Sequence, residues 1–243
     1  MRLDVYITKT FDNCSRTKAQ KIIEEKRAIV NGEIVTKPSF EVNENSTVKI
    51  LASKDTEFVG RGGLKLEHAF KIFELDASDK ITLDIGASTG GFTQCLLMHG
   101  ANVVYAVDSG KNQLAKELLS DERVISIEGF NARGLSVDDL DNKYMDMVVM
   151  DVSFISQKLL YPAILRVSKK GADVVTLIKP QFEAGKQYIG KKGIVKDEKV
   201  RKNVVNEIIE YAKSLGFEYI NHTDSPITGG DGNHEFLLHL RVK

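Results

Sequence analysis

The sequence predicts an α/β protein, a doubly wound parallel sheet preceded by a small α+β unit. Three observations carry this. From Leu64 onward, apolar runs of strand length alternate with helical spacing. The run Ile81–Ile85 breaks at Gly86 into a small-residue turn, Ala87–Gly91, that leads into the helical pattern Phe92, Leu96, Leu97. A second apolar run, Val103–Val107, stops at the acidic Asp108.

Each element has its own signal. Leu3, Val5, Tyr6 and Ile7 predict a short helix, and Ser15 reads as the cap of a second carrying Ala19, Ile22 and Ile23. Ala28–Val30 and Ile34-Val35 flank Asn31-Gly32, a two-residue hairpin signal, and Val48–Ile50 adds a short strand. The charged run Ser53–Glu57 predicts a linker, dividing the chain into 1–59 and 60–243. Beyond it the pattern gives helix 64–75, strand 81–85, helix 91–99, strand 103–107, helix 111–119 and strand 123–127. Then follow strand 146–151, helix 157–168, strand 173–178, helix 196–215, and a closing antiparallel pair at 217–223 and 234–241.

Composition sets the bounds. A hydrophobic share of 42% over 243 residues is enough for a real core. Lys and Arg number 34, as do Asp and Glu, so any nucleic-acid surface has to be local. Cys14 and Cys95 form no CxxC pair, which predicts free thiols in a reducing cytoplasm and no metal site. No apolar run approaches the length of a membrane span, and the first residues hold no signal-peptide core, so no membrane insertion is expected.

The glycine turn selects a ligand. A dinucleotide fingerprint needs a second glycine where Ser88 stands in Gly86-Ala-Ser-Thr-Gly90-Gly91, and Gly91-Phe92-Thr93 lacks the P-loop lysine. A ligand without phosphates, but with a ribose diol, a carboxylate and an ammonium, fits better. S-adenosyl-L-methionine is that ligand, with Asp108 expected to hold its ribose and free backbone N–H groups near the helix start its carboxylate.

Four residues read as one catalytic set. Lys65 lies in Arg61-Gly-Gly-Leu-Lys65, Asp151 ends Met147–Met150, Lys179 ends Val174–Ile178, and Glu235 opens the last strand. Ligands of open α/β sheets sit at the carboxyl ends of the parallel strands, which puts Asp151 and Lys179 at the edge of Gly86 and Asp108. A lysine at a buried strand end is costly unless paired, which favours a site. Methylating a ribose 2′-hydroxyl needs a base, and a lysine beside a second lysine and shielded from water can be one. Lys179 is the expected base, Asp151 its orienting partner, and Lys65 and Glu235 position the ribose. Asp151-Val-Ser-Phe154 lacks the prolines of exocyclic amino methylation, and Cys95, inside a helix, does not suit cytosine C5 chemistry.

The front unit is similar to the S4 RNA-binding fold through Arg2-Leu3-Asp4, Ser15-Arg16-Thr-Lys18-Ala19, Ile29–Gly32, Lys37-Pro38 and Val42. Its basic residues Arg16, Lys18, Lys21, Lys26 and Arg27 fall on or just after one helix, where they can track an RNA backbone. A second basic stretch, Gly185–Gly193 with Lys191 and Lys192, follows Lys179. Arg2, Arg16, Lys18, Lys21, Arg61, Lys191 and Lys192 are the residues expected to meet RNA.

The full order of motifs resembles the TlyA (hemolysin A) family. It runs from the S4 unit through Arg-Gly-Gly-x-Lys-Leu, Asp-x-Gly-Ala-Ser-x-Gly-Gly-Phe and Asp-Val-Ser-Phe-Ile-Ser to Lys-Pro-Gln-Phe-Glu. The resemblance covers essentially the whole chain. It implies a Rossmann-like class I methyltransferase of the FtsJ-like type, acting with S-adenosyl-L-methionine on cytidine 2′-hydroxyls of ribosomal RNA in ribosomal subunits. By resemblance the catalytic tetrad falls on Lys65, Asp151, Lys179 and Glu235. The cofactor residues fall on Gly86, Ser88, Thr89, Gly90 and Asp108, with Gly91 in the same turn and Asn131 near the adenine. Gly60 and Gln157 depart from the family's usual Ser and Leu. A cytolysin, suggested by the family's other name, and a non-catalytic ribosome-assembly factor are the rival readings. The first lacks an export or membrane segment, and an intact turn and tetrad argue against the second.

Overall fold

The structure, a computed structural model, describes residues 1–11, 14–51 and 58–243; the Ser53–Glu57 linker expected from the sequence and the side chain of Lys18 lie outside the described residues. The chain divides into two compact units, Met1–Glu57 and Phe58–Lys243.

In the front unit, α1 (Leu3–Thr10) and α2 (Arg16–Glu24) accompany a three-stranded sheet of order β2-β1-β3. The strands are β1 (Ala28–Val30), β2 (Glu33–Val35) and β3 (Val48–Ile50). Asn31 and Gly32 both adopt positive φ, 52° and 91°, and close the antiparallel β1–β2 hairpin as the sequence predicts. Leu3, Ile7, Ala19, Ile23 and Ala28 form the dry centre. Asp4 is buried and accepts from Arg2 (Nε and Nη2, each 3.0 Å), Arg16 Nε (3.1 Å) and Gln20 Nε2 (3.2 Å). The Arg2 hydrogen bonds, seconded by Gln20 and Arg16, hold its carboxyl well below the usual carboxylate range. Arg27 departs from the expected basic face. It is buried, donating to the Leu51 carbonyl and to Glu25, so its charge is spent inside the unit.

The second unit holds a seven-stranded sheet of order β6-β5-β4-β7-β8-β10-β9. Its strands are β4 (Ile81–Ile85), β5 (Val103–Asp108), β6 (Val124–Glu128), β7 (Met145–Met150), β8 (Ser168–Ile178), β9 (Phe217–Asp224) and β10 (Phe236–Val242). The first five pair in parallel, while β10 is antiparallel to both β8 and β9. This is the doubly wound sheet with a closing antiparallel pair. The helices are α3 (Gly62–Phe73), α4 (Gly91–Met98), α5 (Lys116–Leu119), α6 (Tyr161–Val167), α7 (Pro180–Glu183) and α8 (Glu198–Ser214). One core, around Leu83, Val148 and Val174, packs with α6 and α8; another, around Leu66, Leu96 and Val149, packs with α3 and α4.

Two predicted helices shrink. The one expected over 111–119 is helical only from Lys116, because Glu128 captures the N–H groups of Asn112, Gln113 and Leu114 at 2.6, 2.9 and 3.3 Å. Those donors cap a loop, and Asn112 takes φ 56°. The one expected over 157–168 splits into a 3-10 turn, Gln157–Leu159, and α6, with a proline in the first turn of α6. No helix among the described residues is long and apolar enough to cross a membrane.

Candidate active site

Strand order reverses between β4 and β7, where a doubly wound sheet opens its crevice. Here the backbone turns closely. Asp151 donates its N–H to the Ile85 carbonyl at 3.0 Å, and a Cβ on Gly86 would overlap the Asp151 carbonyl. Gly86 also has φ 86°, so both space and conformation demand glycine. Gly91 serves a different contact, because its missing Cβ lets the N-terminus of α4 lie against the backbone of Gly60 and Gly63 at the start of α3. That close packing fixes α3, and with it Lys65.

The four predicted catalytic residues form one chain of alternating charge. Glu235 Oε2 lies 2.6 Å from Lys65 Nζ, which lies 3.9 Å from Asp151 Oδ2. Asp151 Oδ1 lies 2.6 Å from Lys179 Nζ, which donates to Ser153 Oγ at 2.8 Å. Lys65 and Glu235 are buried. Topology explains the meeting. Asp151 and Lys179 follow the C-terminal ends of β7 and β8, and antiparallel β10 starts at that edge, Phe236 pairing with Ile178. Two lysines and two carboxylates cancel in charge, which moderates the cost of drying them.

Two clefts meet at Asp151; Lys179 lines the smaller of them, and Lys65 and Glu235 line neither. The larger, about 390 Å³, has Gly86, Ser88, Asp108, Asn131 and Phe130 on its walls; the smaller, about 180 Å³, has Arg61, Thr89, Gly91 and Lys179. Asp151, Ser153, Gly86 and Ser88 border both. Asp108 Oδ2 accepts from Ser88 N at 2.8 Å and Oδ1 from Gly110 N at 2.7 Å, which ties the glycine turn to the next loop. Gly90 borders neither cleft. It takes φ 98°, and a Cβ there would meet Leu118 and Leu114, so its glycine answers to backbone conformation and core packing and not to ligand clearance. A third cavity, about 610 Å³, lies apart between α8 and β9.

The basic residues are placed unevenly. Arg2 and Arg16 lean on Asp4 while staying about half exposed, and Lys21 pairs with Glu25 at 3.5 Å. Arg61 donates to the Thr228 carbonyl at 3.0 Å. Lys191 and Lys192 are exposed. The buried Asn233 joins their loop to the turn before Glu235, accepting from Val195 N at 3.1 Å and donating to the Gly193 carbonyl at 3.0 Å.

Sequence reasoning missed three features. Ser153 stands in the Asp-Val-Ser-Phe motif, but nothing in the sequence signals its contact with Lys179. Phe154 is 90% exposed at φ 64°, its ring 5.1 Å from that of Phe182. A bulky side chain in the left-handed region is uncommon. Glu67, Cys95 and His99 also come together, with ligand-capable atoms within 4.8 Å of one another. The spacing of the cysteines could not announce this, because Glu67 comes from α3 and the other two from the α4 region. In the structure they bond to each other, His99 to Glu67 at 2.8 Å and Cys95 to Glu67 at 3.8 Å. Burial, then Glu67, pushes the Cys95 thiol up, so it is no nucleophile.

The sheet, the glycine turn and the lysine–carboxylate chain define a methyltransferase of the FtsJ-like type behind an S4 unit. The FtsJ-like methyltransferase family matches residues 58–242 and the S4 domain residues 1–48. Hemolysin A of Brachyspira hyodysenteriae is 43% identical over 242 residues, covering 100% of both chains. The 16S/23S rRNA (cytidine-2'-O)-methyltransferase TlyA of Mycobacterium tuberculosis is 37% identical over 229 residues, 94% of this chain and 85% of that one. A solved structure from Streptococcus thermophilus, provisionally named a hemolysin, superposes with a TM-score of 0.79 at 40% identity, covering 100% of this chain and 88% of that one. The chain belongs to the TlyA/hemolysin A family.

Proposed function

We propose that this chain methylates the 2′-hydroxyl of cytidine ribose in ribosomal RNA, with S-adenosyl-L-methionine as methyl donor and Lys179 as base. The observation that carries the reading is the Glu235–Lys65–Asp151–Lys179 chain, whose Asp151 borders both clefts and whose Lys179 borders the smaller.

The larger cleft fits the cofactor. Its volume is in the range of small-molecule sites. Each Asp108 oxygen accepts one backbone N–H and keeps a lone pair for a ribose hydroxyl. Val107, Phe130 and Leu160 give apolar wall for a base, and Asn131 gives a polar edge. The Asp151 carboxylate, common to both clefts, suits a cationic sulfonium. When bound, the cofactor supplies a methyl group activated by that charge.

The protein's own residues do the rest. Lys179, once its ammonium has given up a proton to solvent, accepts the 2′-hydroxyl proton as the oxygen takes the methyl group and the S–CH3 bond breaks to leave a neutral thioether. Asp151 and Ser153 fix the direction of the amine. Lys65, held by Glu235, steadies the Asp151 carboxylate from 3.9 Å. Phe154 offers an exposed ring beside the cleft on which a base taken out of its stack can lie. In the front unit, Arg16 and Lys21 stay exposed for phosphate contacts.

The test is transfer of label from tritiated S-adenosyl-L-methionine to purified ribosomal subunits, followed by mapping of 2′-O-methylated positions. Label on cytidine ribose is expected; label on a base, or none, contradicts the proposal.

A further inference from the structure

The loop after Asp151 is held by a short helix that the chain of charged residues does not include. Three successive contacts join the two segments. Lys179 donates to Ser153, Phe182 packs against Phe154, and Glu183 closes the far end. Glu183 Oε2 accepts from Ser156 Oγ at 2.6 Å, and Oε1 accepts from Gln157 N at 2.8 Å. Gln157 is itself anchored, since it is 1% exposed and its Oε1 accepts from the hydroxyl of the buried Tyr161 at 2.9 Å.

This arrangement runs against local preference at two points. Phe154 sits at φ 64° with 90% of its surface exposed, so neither backbone ease nor burial explains its conformation. Such strain persists only where the surroundings over-determine it. Glu183, for its part, is partly buried, and burial raises its carboxyl above the usual range, so drying it is costly. Both make sense if the carboxylate is there to fix the loop.

We propose that Glu183 is a positioning residue of the acceptor side. It latches 153–157 onto α7, which keeps Ser153 on Lys179 and presents the Phe154 ring beside the cleft. The kinetic part of this inference rests on the ribose-methylation reading; the structural part does not.

The chain has no tryptophan, so a Phe154→Trp substitution introduces a single fluorophore on the loop. In that background, Glu183→Ala is expected to lower the reporter's anisotropy. In the natural background it is expected to reduce kcat, counted per cofactor-binding site, by about tenfold to a hundredfold, the scale for a misplaced reacting group. The rate is read at saturating cofactor, because Ser153 and Phe154 also line the larger cleft and a loosened loop is expected to weaken cofactor binding as well. Glu183→Gln should recover most of the loss, since its amide can accept from Gln157 N–H and donate to Ser156 Oγ. Should Glu183→Ala fail to fold, Ser156→Ala removes one bond from the opposite side and takes its place in both measurements.

Unchanged anisotropy overturns the latch. So does a Gln variant as impaired as the Ala variant. A loosened reporter with unchanged kcat overturns the positioning role. If the unaltered protein transfers no methyl group to ribosomal subunits, the ribose reading fails by itself, and the anisotropy still decides the latch.

Discussion

Lys65 Nζ lies 2.6 Å from Glu235 Oε2, joining α3 to the residue before β10 across 170 positions of sequence. Both side chains are nearly dry. Removing Glu235 leaves the buried Lys65 ammonium with only its 3.9 Å contact to Asp151, so Glu235→Ala should lower the unfolding free energy by about 3 kcal/mol, the lower end for breaking a buried pair. Lys65→Met combined with Glu235→Leu removes both charges and should regain most of that stability in a denaturant titration. Methyl transfer should remain lost in the double variant. Recovery of activity along with stability would mark the pair as structural only.

A second prediction concerns pH. Burial pushes the Asp84 carboxyl from near 3.8 up to about 7, and Thr93 Oγ1, donating at 2.7 Å, opposes this only in part. An acid whose folded value is raised binds its proton more tightly in the folded state. Stability therefore falls as pH rises through the window between those two values, then levels off. Asp84→Asn cannot titrate. Relative to the variant, the natural protein should lose roughly 4 kcal/mol across that window, read from urea unfolding at several pH values. Parallel pH curves for the two proteins would contradict the assignment.

In the front unit the testable residue is Asp4. Its folded value is depressed, so its contribution is fully present above the ordinary carboxylate range and is lost as pH falls from that range down through the lower folded value. Asp4→Ala strips Arg2 and Arg16 of their shared acceptor and should lower the urea midpoint of the unit. Subunit affinity should drop while cofactor affinity, measured by calorimetry, holds. Arg16→Glu is a poor probe of RNA binding because it sets a second carboxylate against Asp4. Lys21→Ala is cleaner, since it sets no new carboxylate against Glu25, and should lower the salt slope of subunit binding by about one for the phosphate that the lysine no longer neutralises. An unchanged slope would remove Lys21 from the interface.

Gly90 separates two explanations of the glycine turn. Its φ of 98° and the proximity of Leu118 mean that Gly90→Ala should destabilise the protein by about 1–3 kcal/mol. Cofactor affinity should fall only as far as the fold does, and Leu118→Ala should relieve the steric part. A variant with full stability and no cofactor binding would return Gly90 to the ligand wall.

Most of the fold was legible because its signals are local. Asn31-Gly32 gave the hairpin, and the apolar runs ending at Gly86, Asp108, Asp151 and Lys179 gave the parallel strands and the edge they share. The tetrad was legible for the same reason, since three of its members punctuate strands. What escaped depends on distant partners. Glu128 shortens α5 by capping N–H groups more than ten positions upstream, and nothing near Asn112 signals that. Arg27 counts as basic in sequence, yet it is buried against Leu51. Gly90 and Gly91 look like ligand clearance, whereas their missing Cβ atoms make room for leucines and for α3. Glu183 reads as part of a motif, but its two acceptor bonds reach back across the site.

In the proposed reaction Lys179 receives the proton of the ribose hydroxyl, and Lys179→Ala removes that acceptor. Single-turnover transfer from labelled S-adenosyl-L-methionine to ribosomal subunits, with cofactor affinity measured on the same preparation, separates chemistry from binding. A loss of rate of at least about a hundredfold, the usual scale for removing a general base, is expected, with cofactor Kd nearly unchanged. A Lys179→Ala protein that binds cofactor normally and methylates subunits at close to the natural rate would contradict it.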